Sequence, residues 1–244
     1  MGGFLQTPEV LGYLVKWAAR LETFKLHYTY RHDYAEEGLY THWSLDTLQP
    51  ILQAHRKSLR YIKIKNINGA VGLERCNMSY FTSLERLDLS YRVTGTDTSL
   101  VANLLAPRLS TFRWVLTLED QQCGEDLWHF QEPQEEWLRA LANAAIQCGS
   151  SLCEIRVKYR PVLDFYYPGK PDGVVYPWAR MDRIAKEVEP HGIKISYSDP
   201  NNGRRWEDFI EDWVLEELYL EDMEKAVLAG PMCLERVQLF DHVQ

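Results

Sequence analysis

The 244-residue sequence predicts an α/β fold in which short strands alternate with helical segments. Three observations carry this. A strand-like hexamer, Leu-x-x-apolar-x-apolar, recurs seven times; the segments between the copies place their apolar residues at helical spacing; and 45% apolar with 25% charged residues suffices for a sizeable core. About two such hexamers would arise by chance in a chain of this length, so the excess is a repeat.

In order along the chain, the hexamers are Leu21–Leu26, Leu59–Ile64, Leu84–Leu89, Leu109–Trp114, Leu152–Val157, Leu215–Leu220 and Leu234–Leu239, with Gly192–Ser198 as a degenerate member. Their period of two is that of a strand with one buried face. After the first, Ser44 can cap a helix carrying Leu45, Leu48 and Leu52, which Pro50 either kinks or begins. Asp97 precedes a helical run through Leu100, Val101, Leu104 and Leu105 that Pro107 ends. The clearest helix spans 134–147: Pro133 sits near its start, Trp137, Leu138, Leu141 and Ala145 form its stripe, and Gly149 follows. Pro177 opens another, with Trp178, Met181, Ala185 and Val188 on one face. Near the C-terminus, Trp206, Phe209, Trp213, Leu220, Met223 and Val227 keep a helical period, so residues 215–220 read better as part of an acidic helix than as a strand.

Strand, loop, helix and strand in repetition is the order of an irregular leucine-rich-repeat solenoid, with a parallel concave sheet and helices on the convex side. Residues 1–198 form the repeats and 199–244 an acidic helical cap of the same domain. The repeats start at 21, 59, 84, 109 and 152, an uneven spacing. The ninth position, where regular repeats place a turn-bonding Asn or Cys, holds Thr29, Ile67, Arg92, Thr117 and Arg160. These turns must therefore be satisfied in another way.

The net charge of −8 is uneven: residues 1–198 are neutral, and the stretch from Asp199 to Lys225 alone carries −7. In each repeat the first, fourth and sixth positions face the core, while the third, fifth and seventh point outward. The outward set includes Lys25, Tyr61, Lys63, Lys65, Arg86, Arg113, Arg156 and Lys158. With Lys194, and against Asp88 and Glu154, this face carries a surplus of six positive charges. Like charges on strands ~5 Å apart repel. An acidic protein partner, solvation along the Lys and Arg stems, and the chain's own acidic tail are three ways to offset them. Three long loops, Tyr28–Trp43, Glu119–Glu132 and Tyr159–Tyr176, leave one edge of the expected sheet; the first and third are rich in Tyr, which suits recognition or packing onto the repeats.

Other classes find little support. The five cysteines are scattered without Cys-x-x-Cys, which speaks against a disulfide framework or zinc site and for a reducing, intracellular setting, cytoplasmic or nuclear. No run approaches the ~18 apolar residues of a membrane span, and no leader pattern opens the chain. Nucleophile-elbow, phosphate-loop, dinucleotide and His-Glu-x-x-His motifs are missing, and the seven histidines are dispersed, so neither catalysis nor a cofactor or metal is expected. An enzyme on an unfamiliar α/β fold is the alternative. A pI near 5.4 argues against non-specific nucleic-acid binding.

The irregular Leu-x-x-Ile-x-Ile strands, the helical segment Leu45–Leu59 and the aromatic loops together resemble the leucine-rich region of fungal F-box proteins, over residues 5–198. The resemblance implies a substrate-recognition solenoid of an SCF-type ubiquitin ligase, in which an N-terminal F-box docks the ligase adaptor. The Leu-Pro-x-Glu start of an F-box is not found in Met1–Arg20, so the adaptor is expected as a partner only where an F-box lies upstream. A fragment, a truncated relative or a repeat-only scaffold fits these residues.

Overall fold

A computed structural model describes residues 7–27, 43–65, 67, 73–117, 130–160 and 177–197. The chain divides into two compact units, Met1–Asp164 with Val175–Ser198, and Phe165–Val174 with Asp199–Gln244; every described residue belongs to the first. The three long loops in large part, and the acidic segment with hexamers 215–220 and 234–239, lie outside the described residues.

The described fold is α/β with a single six-stranded parallel sheet: β1 (Thr23–His27), β2 (Tyr61–Lys65), β3 (Arg86–Ser90), β4 (Thr111–Thr117), β5 (Glu154–Arg160) and β6 (Lys194–Tyr197). Each strand hydrogen-bonds its neighbour in sequence, in the order β1 to β6. The register equals the alignment of the hexamers. Thr23, Tyr61, Arg86, Thr111, Glu154 and Lys194, the third residue of each copy, stand side by side. Parallel strands need a crossover between them. Here the crossovers include α2 (Leu45–Leu52), the short α3 (Tyr91–Thr94) with a 3-10 segment (Thr98–Leu104), α4 (Glu132–Gln147) and α5 (Pro177–Val188). A further helix, α1 (Pro8–Trp17), precedes β1 and buries Leu11 and Val15, an i, i+4 pair that the repeat pattern did not single out.

Fourth and sixth positions (Phe24, Leu26; Ile62, Ile64; Leu87, Leu89; Phe112, Trp114; Ile155, Val157) are buried in one core with Leu48, Leu52, Leu104, Leu138, Leu141, Met181 and Ile184 from the helical side. Aromatic rings thicken its centre: Trp114 stacks on Trp137 at 4.3 Å and meets Phe130 edge-on at 6.1 Å, and its indole N–H donates to Thr94 Oγ1 at 2.9 Å. All-parallel sheets are ordinarily apolar on both faces. This one alternates, and no third-, fifth- or seventh-position residue belongs to the core.

Several helix expectations change in detail. Ser44 does open α2: its backbone N–H donates to Thr47 Oγ1 at 3.0 Å. Pro50 sits inside α2, not at its start. The run after Asp97 winds as a 3-10 segment, with the Asp97 carboxylate accepting from Ser99 N–H at 2.9 Å. The clear helix begins at Glu132 with Pro133 in its first turn, and ends where Gly149 (φ +61°) lets Ser150 N–H reach Ala145 O at 2.9 Å. On α5 the buried stripe is Met181, Ile184 and Val188, while Trp178 and Ala185 are only partly covered, so the helix is rotated toward Ile184.

The backbone ahead of the strands is tied by side chains and by neighbouring copies. The serine before the repeat leucine reaches back to a carbonyl just ahead of the preceding strand: Ser58 Oγ donates to Leu21 O (2.9 Å), Ser83 Oγ to Lys57 O (2.7 Å) and Ser151 Oγ to Pro107 O (3.1 Å). One carbonyl per repeat, on Glu22, Arg60, Glu85 and Ser110, accepts two N–H groups from the next copy. These bonds absorb the polar backbone that a Leu-rich stack would otherwise bury unpaired.

Candidate functional site

The polar face of the sheet is three rows deep, because third, fifth and seventh positions are in register. The first row reads Thr23, Tyr61, Arg86, Thr111, Glu154, Lys194; the second Lys25, Lys63, Asp88, Arg113, Arg156, Ser196. Continuing the β2–β3 register by one residue, the third holds Lys65, Ser90, Val115 and Lys158.

Asp88 organises the centre. Its carboxylate is fully buried, which costs several kcal/mol unless it is paired. Three side chains pair it. Arg86 donates through Nε (2.8 Å) and Nη2 (3.0 Å), Tyr61 O–H donates at 2.8 Å, and Arg113 Nη1 stands 3.8 Å away. The Tyr61 ring also carries two cations, Lys25 Nζ at 5.3 Å and Arg86 Cζ at 4.6 Å from its centroid. Burial, then the hydrogen bond to Asp88, pushes the Tyr61 phenol up to about 12. The same carboxylate raises the Arg86 guanidinium above its ordinary value.

On the β5 side, Arg156 Nη2 donates to Glu154 Oε2 at 2.7 Å, and Arg156 holds the Glu154 carboxyl below the usual range. Lys63 is placed differently. It makes no ion pair among the described residues, and burial together with the charges of Lys65, Arg113 and Lys25 lowers its ammonium pKa, only partly offset by Asp88.

All eight cationic or aromatic residues expected from the sequence therefore lie on one face, and the expected direction of the side chains holds. Their uniform exposure does not. Lys25 is exposed, Tyr61, Lys63, Arg86, Arg113, Arg156 and Lys158 are half-buried, and Lys65 is buried with 6% of its surface accessible. Ser90 and Val115, beside Lys65, are buried too (0% and 1%) although they stand outside the apolar core. The row is also less purely basic than a count of charges suggests, since Asp88 and Glu154 engage Arg86, Arg113 and Arg156. The alignment of the hexamers sets Asp88 between Lys63 and Arg113, but it does not show that the carboxylate is fully buried and held by Arg86 and Tyr61.

Among the described residues, no group of three His, Cys, Asp or Glu could hold a metal ion, and no helix is long and apolar enough to cross a membrane. Cys76, Cys148 and Cys153 are free thiols; burial pushes Cys76 up to about 12, which makes it an inert core residue. Compared with family models, curated proteins and solved structures, the chain finds no match in any of the three.

Proposed function

We propose that this protein is a non-catalytic binding module, an irregular leucine-rich-repeat solenoid that receives an acidic segment of another protein on the polar face of its sheet. The sequential order of six parallel strands supports the solenoid, as does the identity between hexamer alignment and register. An all-parallel sheet that is apolar on one face and charged on the other fits a one-sided stack better than a doubly covered sheet. The single observation behind the partner's chemistry is the cationic surplus of this face, with Lys63 half-buried at its centre and in no ion pair among the described residues. In this reading the module resembles the substrate-recognition repeats of F-box ubiquitin-ligase receptors, and a ligase role follows where an F-box accompanies it.

The test is titration of the full chain with an end-capped hexaglutamate peptide at two salt concentrations. Because Asp88 stands between Lys63 and Arg113, neutral substitutions are used so that no carboxylate is set beside it. The variant Lys25→Gln/Lys63→Gln/Arg156→Gln should lose at least about tenfold in affinity, and wild-type affinity should weaken as salt rises. Binding indifferent to both would sink the reading.

A further inference from the structure

Among the described residues, two buried polar atoms on this face have no hydrogen-bond partner: the Ser90 hydroxyl and the Arg113 Nε. Buried polar groups are paired in the great majority of cases, so an orphan donor calls for a reason. Here two lie together. Asp88 is opposite Arg113 in register, and Ser90 lies two residues further along β3, so Ser90 is a diagonal neighbour of Arg113. The same construction makes it a diagonal neighbour of Lys63 on the other side. A strand spacing of ~4.8 Å and a rise of ~3.3 Å per residue put each pair of Cα atoms about 8 Å apart, which Lys and Arg side chains span. Arg113 turns Nη1 toward Asp88 at 3.8 Å and leaves Nε free. Lys63, with no counter-ion among the described residues, adds an uncompensated charge.

Resting on the reading of this face as a binding surface, we propose that Ser90, Arg113 and Lys63 form an oxyanion subsite that takes the carboxylate of an Asp or Glu side chain from the acidic partner segment. An N–H and an O–H donor on diagonal positions match the two oxygens of a carboxylate, and Lys63 supplies the opposing charge. Within a largely desolvated sheet such a contact gives more than a surface ion pair does, and it pairs two donors that have no partner among the described residues. Lys25, Arg86 and Arg156 then act as the surrounding field and Ser90 as the point that fixes register.

Hexaglutamate, hexaglutamine and a phosphoserine peptide of the same length distinguish the possibilities by calorimetry on the full chain. Ser90→Ala removes the hydroxyl without touching charge, and Arg113→Lys keeps the charge and removes Nε. Each should weaken hexaglutamate binding by about tenfold or more, the loss expected for a hydrogen bond to a charged group. Ser90→Ala should not lower Tm, because it deletes a buried group that has no partner. If both variants bind like the wild type while Lys63→Gln loses affinity, the subsite is wrong and the face reading survives. If Lys63→Gln is also without effect, the face reading fails with it. A wild-type preference of more than tenfold for the phosphoserine peptide, lost in Ser90→Ala, would overturn the assignment to a carboxylate.

Discussion

Asp88→Asn isolates the electrostatic centre of the sheet. The substitution keeps side-chain volume and removes the charge from a group with no accessible surface. Three close donors lose an ionised acceptor: Arg86 Nε and Nη2 at 2.8 and 3.0 Å, and Tyr61 O–H at 2.8 Å. A hydrogen bond to a charged group exceeds a neutral one by roughly 1 kcal/mol. The amide also presents an N–H₂ where an acceptor is needed, so one arginine nitrogen faces a donor. Against this, Arg86 and Arg113 keep about a third of their surface in water and can turn outward. The balance is a loss of about 2–4 kcal/mol, or roughly 5–15 °C in Tm for a domain of this size. Urea unfolding followed by circular dichroism measures it. A loss below about 1 kcal/mol would show that the arginines are satisfied by water and that Asp88 does not organise the face. Pairing the substitution with Arg86→Gln should give less than the sum of the two single losses, since one interaction is being removed twice.

Tyr61 offers a pH test. Its phenol is raised from the ordinary 10 to about 12, so between these values the unfolded chain has released a proton that the folded one keeps. Its contribution is complete below pH 10 and is lost as pH rises toward 12, and Tyr61→Phe should flatten the alkaline limb of a stability profile measured by urea denaturation. Glu135 acts at the acid end. Burial pushes it up, but Arg180 (2.6 Å), Arg139 (2.8 Å) and Arg183 (3.3 Å) together hold it below the usual carboxylate range. Its stabilisation is present above the ordinary carboxylate pKa and disappears as pH falls through the lowered value; Glu135→Gln should cost about 2–4 kcal/mol at neutral pH and little in acid, where a constant cost at both would contradict the account. Thr94→Val leaves the Trp114 indole N–H without its acceptor at 2.9 Å, and should cost about 1–2 kcal/mol with a shift in tryptophan emission. Unchanged stability and emission would show that the indole has found another partner.

The hexamer pattern made the strands legible, because a period of two with a fixed Leu states both strand identity and which face is buried. It also contained the register. Aligning Leu21, Leu59, Leu84, Leu109 and Leu152 is the same act as pairing Tyr61 with Arg86 and Arg86 with Thr111. The candidate site was legible only as a list. Nothing in Leu84–Leu89 says that Asp88 is fully buried, or that Arg86 of its own strand and Tyr61 of the neighbouring one both donate to it. The serines at 58, 83 and 151 carry a readable signal, a hydroxyl just before the repeat leucine, which becomes meaningful once the carbonyl ahead of the neighbouring strand is seen to lie within reach. The helical stripes were placed nearly correctly, and Ile184 in place of Ala185 shows the limit: the period gives an amphipathic face to within one side chain, and packing chooses its centre.

The sequence by itself determined that the chain alternates strands and helices, which strand residues enter the core, and that the opposite face gathers positive charge. These are consequences of local periodicity and side-chain polarity, properties each segment carries alone. The tertiary structure decided how that charge is arranged. Stacking five crossovers in register buried Asp88 with Tyr61 donating to it, set Lys25 and Arg86 over Tyr61, and buried Ser90 beside Lys65. Pairing energies depend on distances across strands that lie 25 or more residues apart, and these distances exist only once the sheet has formed.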